Sequence, residues 1–143
     1  MMKTTSLKKA IVDRLKANVA GVDVVAQEVR EGFKRPAFFV QLIPYGTNRD
    51  SEYILVRNFY VNIHYFPQSY TNIDCLEMGD TLTELFEKPL EAEDRILTAD
   101  DIEVEIIDEV LQVKIYYRLC DSAYTDDEQS EYMEELNINE EVI

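Results

Sequence analysis

The sequence predicts an α+β domain: an antiparallel or mixed β-sheet of about five strands packed by two α-helices, followed by an acidic C-terminal arm. Three observations carry this. Apolar residues recur at three- and four-residue spacing at the start and again around residues 72–86. Between and after these stretches the spacing drops to two, the period of a half-buried strand. The last twenty residues then lose all basic character.

Leu7, Ala10, Ile11, Leu15 and Val19 fall on one face of a first helix. Thr5 or Ser6 suits its start, and Gly21 its end, because glycine tolerates a left-handed conformation. A first strand is expected over about Val24 to Arg30, closed by the turn "EGFKRP". A second follows over about Ala37 to Tyr45, and Pro44, lacking an amide donor, should end it or place it at an edge. The loop "GTNRDSE" leads to the longest strand, about Tyr53 to Phe66, and the three together read as an antiparallel meander.

"PQSYTNID" breaks the sheet and opens a second helix over about Asn72 to Phe86. Thr71 or Asn72 caps it, and Ile73, Leu76, Leu82, Leu85 and Phe86 form its stripe. Gly79 weakens its middle by about 1 kcal/mol relative to alanine. Strands over Ile102–Ile107 and Val110–Asp121 complete the sheet, joined by a tight "DE" link without the Asn-Gly or Asp-Gly signal. In the last strand Leu111, Val113, Ile115, Tyr117 and Leu119 alternate with polar residues, so one face is core and the other is wet.

The 143 residues fit a single domain over 1–123, with 124–143 as a separate arm. The formal charge is −15, and the arm holds eight of the 29 acidic residues and no basic one. The first 123 residues therefore set 14 basic against 21 acidic side chains, a net −7. This opposes binding to a phosphate backbone, so no nucleic-acid recognition is expected. Nothing approaches 18 consecutive apolar residues, which argues against a membrane helix, and no signal-peptide core is present. Cys75 and Cys120 are expected to be ordinary buried thiols. The arm keeps Tyr132, Met133, Leu136, Ile138 and Val142, apolar content suited to ordering on a partner or a neighbouring subunit.

Candidate chemistry does not survive its own requirements. His64, the single histidine, falls by alternation on the more polar strand face beside Asn62, without a second histidine or a flanking nucleophile motif. Glu103 and Glu105 share a strand face about 7 Å apart, but their alternation with Ile102, Val104 and Ile106 explains them as a solvated face. No phosphate-binding glycine loop and no calcium loop occurs. No catalytic residue, metal ligand or cofactor is expected. The candidate contact residues are Arg30, Phe33, Lys34 and Arg35 in the first turn, with Tyr45, Asn48 and Arg49 in the next loop.

The segments "LKKAIVDRLKANV", "KRPAFFVQLIP", "FYVNIHYFP", "CLEMGDTLTELFE" and "LQVKIYYRLCD", in this order over about residues 5 to 121, resemble the tail terminator family of tailed bacteriophages and prophage-like elements. The resemblance implies a non-enzymatic virion protein of the tail neck, assembled in the host cytoplasm. It implies a homohexameric ring that caps the head-proximal end of the tail tube and stops its polymerisation. The implied partners are further copies of the chain, the tail tube protein, the sheath protein and the head-completion proteins. A head–tail joining protein of the same particle, and an acidic DNA mimic that inhibits a nucleic-acid enzyme, are the competing readings.

Overall fold

A computed structural model describes residues 2–25 and 33–122. The chain runs α1 (Thr4–Asn18), β1 (Asp23–Val25), β2 (Ala37–Arg49), β3 (Ile54–Phe66), α2 (Asn72–Glu87), β4 (Leu90–Ala92), β5 (Arg95–Leu97), β6 (Ala99–Ile107) and β7 (Val110–Ser122). Five strands form one sheet in the order β1-β2-β3-β7-β6, and β4 and β5 pair separately. The α+β class, the two helices and the five-stranded sheet agree with the sequence reading.

Among the described residues the sheet has one face covered by helices and one open face. Leu7, Ile11, Val12 and Leu15 of α1 and Cys75, Leu82 and Phe86 of α2 join a single buried cluster. The sheet side of that cluster is Phe38 and Val40 from β2, Phe59, Val61, Ile63 and Tyr65 from β3, and Leu111, Val113, Ile115, Tyr117 and Leu119 from β7. Each alternates with a residue on the opposite face, as period two requires. Burying one such aliphatic or aromatic side chain contributes about 1.5–3 kcal/mol, so this stripe dominates the stability.

Four features depart from the sequence reading. First, β1 pairs with β2 in parallel, Asp23 to Val25 against Ala37 to Phe39, rather than as the first turn of a meander. The chain enters β2 at the end where β1 began, so the two strands run the same way. The rest of the predicted first strand lies outside the described residues. Second, β2 continues past Pro44 through a bulge between Pro44 and Gly46. Pro44 is in register with Phe59 of β3, and among the described residues no strand pairs with its other side. Third, Leu90, Ala92 and Leu97 of the β4–β5 hairpin close the core beside α1. Three-residue strands are too short to display an alternation of their own. Fourth, Ile73 and Leu76, expected in the stripe of α2, are exposed, and Cys75 and Gly79 face inward instead.

Local chemistry sets the remaining boundaries. Thr71 caps α2, its Oγ1 accepting from the Asp74 amide at 3.1 Å. Neither Thr5 nor Ser6 caps α1: the helix begins after Lys3, which makes no side-chain cap bond. Arg14 of α1 donates to the carbonyls of Leu85, Lys88 and Pro89, at 3.3, 3.0 and 2.6 Å, and so satisfies the orphan acceptors at the end of α2. The "DE" link places Asp108 and Glu109 at φ 51° and 65°, the left-handed pair that a two-residue hairpin with type I′ geometry requires. A Cβ on Gly79 would stand 3.2 Å from Cγ1 of Val104, so the glycine is what lets α2 lie this close to the sheet.

Among the described residues Asp121 is the one charged side chain that is buried, and it lies on the covered face. Arg57 reaches it at 3.2 Å and also donates to the Met2 carbonyl at 2.7 Å. Arg95 forms the second ion pair and donates to the Cys120 carbonyl at 2.6 Å. One carboxylate thus ties the amino end, β3, the β4–β5 hairpin and the end of β7 together.

Candidate functional site

Among the described residues the helices cover one side of the sheet, and the other side is the surface considered for a partner. On the open face β2 presents Phe39, Gln41 and Ile43, and β3 presents Asn58, Tyr60, Asn62, His64 and Phe66. Beside them β7 presents Gln112, Lys114, Tyr116 and Arg118, and β6 presents Asp101, Glu103 and Glu105.

Its middle is aromatic. Tyr60 and Tyr116 lie opposite each other in register, with ring centroids 5.6 Å apart. The bulge turns Tyr45 onto them, 5.9 Å from Tyr60 and 6.1 Å from Tyr116, and leaves it 54% exposed. The Lys114 ammonium sits 5.8 Å from the Tyr60 ring centroid. Tyr116 donates its hydroxyl to Glu103 at 3.2 Å, and burial together with that carboxylate pushes its phenol up. These tyrosines offer apolar area with a polar tip, the character that favours contact surfaces over catalysis.

One end of the face is built from the first turn. Phe33 packs edge-on against Phe39 at 4.8 Å and lies 5.1 Å from Phe66. The Arg35 guanidinium stands over both Phe33 and Phe66 and donates to the Pro67 carbonyl at 3.4 Å. Lys34 beside it is exposed. Arg30 lies outside the described residues. At the far end of β2, Asn48 and Arg49 are exposed, and Arg49 donates to the Glu52 carbonyl at 3.1 Å. The two predicted groups therefore stand at opposite ends of β2, and only Tyr45 reaches the central aromatic cluster.

The polar residues weighed for chemistry occupy bland positions. His64 is half-buried in the open face, in register with Phe39 and Gln112. Glu103 and Glu105 are exposed on the edge strand β6. Cys75 is buried as expected, and burial followed by the Asp74 charge pushes its thiol up, away from the reactive thiolate. Cys120, expected to be buried, is exposed on the open face because its even position in β7 points away from the helices. Among the described residues no group of three His, Cys, Asp or Glu is placed to hold a metal ion, and no helix is long and apolar enough to cross a membrane.

Sequence reasoning missed Tyr60 and Tyr116. The signal was present: both fall at outward positions of their strands, where an unburied aromatic is a contact candidate.

Comparison with known proteins gives one family. A family profile described as phage tail terminator protein matches residues 6–131. No curated protein matches the chain. Among solved structures, one chain without a functional name aligns over 85% of this chain and 93% of its own, with 17% identity and a TM-score of 0.49.

Proposed function

The chain belongs to the phage tail terminator family, and from that premise we propose that six copies form a ring on the head-proximal end of the tail tube. The family places the protein in the virion tail, among tail components, in a structural and non-catalytic role. In the proposed reading the ring stops tube polymerisation and presents a surface to the sheath and head-completion proteins, after assembly in the host cytoplasm. Residues 1–123 build the ring-forming domain, and 124–143 form an arm that orders on a partner.

The observation that carries this reading is the sheet whose helices, among the described residues, lie on one side. A ring subunit needs surfaces for two neighbours and for the tube, and a tyrosine-centred face flanked by exposed Lys34, Arg35, Asn48 and Arg49 supplies such surfaces. Phe33 and Tyr45 are the proposed apolar anchors of the two contact groups, and Arg30 joins the first by its place in the sequence.

The test is negative-stain imaging of the purified full chain, alone and with the tail tube protein. Six-fold rings on tube ends, with tubes that cease to lengthen, are expected. Rings that bind only the head vertex would instead indicate a head–tail joining protein. Particles that never touch tubes would refute the terminator reading.

A further inference from the structure

The two helices carry opposite charge. α2 holds five carboxylates, Asp74, Glu77, Asp80, Glu84 and Glu87, and no basic residue. α1 sets Lys8, Lys9, Arg14 and Lys16 against the single carboxylate of Asp13. That is unusual in a chain with 29 acidic and 14 basic side chains. Lys9 and Lys16 are exposed two turns apart on α1, and Glu77 and Glu84 are exposed two turns apart on α2. Both pairs therefore stand about 10.5 Å apart along their helices. Among the described residues no ion pair engages any of these four.

α2 also exposes apolar surface. Ile73 is 69% exposed and Leu76 51%. Met78 and Leu85 pack against the core on one flank of the helix, and Arg14 of α1 reaches the Leu85 carbonyl at 3.3 Å. At about 100° per residue, Ile73 and Leu76 fall on the other flank, turned away from α1. Beneath α2, Val104 of β6 pairs with core Val113 yet is 44% exposed, and a Cβ on Gly79 would meet it. Ile73, Leu76 and Val104 thus line an apolar ledge along the β6 side of α2, bordered by the exposed Glu77, Asp80 and Glu84.

Charge selects what can cover this ledge. A second α2, or the arm 124–143 with its eight acidic residues and no basic one, would bring like charges together. A cationic helix suits it, because lysine stems lie along apolar side chains while their ammonium groups reach the carboxylates beyond. α1 of another copy is such a helix, and its Lys9–Lys16 spacing matches Glu77–Glu84.

We propose that the lysine face of α1 in one copy docks on the acidic, apolar ledge of α2 and β6 in the next. The two surfaces differ, so the contact is head-to-tail, and repetition with rotation closes a ring. This rests on the ring reading above and names the surfaces that build it.

Charge exchange tests it. Glu77→Lys with Glu84→Lys makes the ledge basic, and Lys9→Glu with Lys16→Glu makes α1 acidic. All four residues are exposed, and circular dichroism melts verify that both chains fold. Each altered chain then sets like charges together at every junction and should lose about tenfold or more in the fraction of tube ends bearing a ring. An equal mixture restores opposite charges at every junction and should recover rings, with native mass spectrometry finding three copies of each. If a reversal misfolds, the neutral pairs Glu77→Gln with Glu84→Gln and Lys9→Gln with Lys16→Gln replace it, each expected to lose about threefold. Loss of rings from one altered chain only would give that surface to another virion protein and overturn the assignment. Both altered chains forming rings as the parent does, or a mixture of folded chains that fails to recover them, would overturn it as well. A parent chain that forms no ring overturns the ring reading with it.

Discussion

Replacing Asp121 by alanine should cost about 3 kcal/mol of folding stability. Its carboxylate is fully buried and is held by Arg57 and Arg95, whose side chains are 14% and 32% exposed. Removing one partner from a buried ion pair typically costs about 3–5 kcal/mol, because the remaining charge stays desolvated. Here each arginine keeps a carbonyl acceptor, Met2 for Arg57 and Cys120 for Arg95, and Arg95 reaches solvent. Those retained bonds place the loss at the low end. A domain of this size has about 7–20 kcal/mol in total, so the variant should still fold. Urea unfolding followed by circular dichroism gives the number, with an unchanged slope and a lowered midpoint. A further variant sharpens the argument: Asp121→Ala with Arg57→Met and Arg95→Met removes all three charges and should recover part of the loss. A single Asp121→Ala change that costs less than about 0.5 kcal/mol, as surface substitutions do, would refute the claim that this carboxylate ties four elements together.

Tyr117 is buried, its hydroxyl has no hydrogen-bond partner among the described residues, and desolvation pushes its phenol up to about 12. Tyr65 is pushed up to about 12 by burial and by its bond to Asp74. In both cases the unfolded chain releases the proton near pH 10 and the folded one only near 12. Stability from these groups is therefore complete below pH 10 and falls between pH 10 and 12, at about 1.4 kcal/mol per pH unit for each. Tyr117→Phe should reduce that slope and leave stability at pH 7 within about 1 kcal/mol of the parent, which urea titrations at several pH values would measure. Gly79→Ala sets a helix gain of about 1 kcal/mol against a 3.2 Å approach to Val104. Because Val104 is partly exposed at an edge and can yield, the net change should stay within about 0.5 kcal/mol, while Gly79→Leu should cost about 2 kcal/mol in the same assay. Glu109→Gly relieves a left-handed residue in the β6–β7 turn and should raise stability by about 1 kcal/mol, read as a higher thermal midpoint.

What the sequence determined by itself was local. Period 3.6 in α1 and α2 and period two in β3 and β7 follow from where successive side chains point. The core stripe Phe59–Val61–Ile63 and the outward placement of Asn62 and His64 were legible for that reason. Phe33, Lys34, Arg35, Tyr45, Asn48 and Arg49, proposed as contact residues, were chosen from loop and strand-end composition alone, not as members of one face. The tertiary structure decided which segments meet. β1 has three residues, and nothing in them specifies a parallel partner. Gly79 reads as a helix weakness until Val104 and Leu111 are brought beneath it. Tyr45, Tyr60 and Tyr116 become a cluster only when a bulge and two pairings superimpose them. Asp121 finds its arginines 64 and 26 residues away along the chain. Periodicity is a property of neighbouring residues, whereas burial and pairing depend on which distant surfaces exclude water together. That is why the α+β class was readable from the sequence, and the parallel β1–β2 pair and the tyrosine cluster only from the fold.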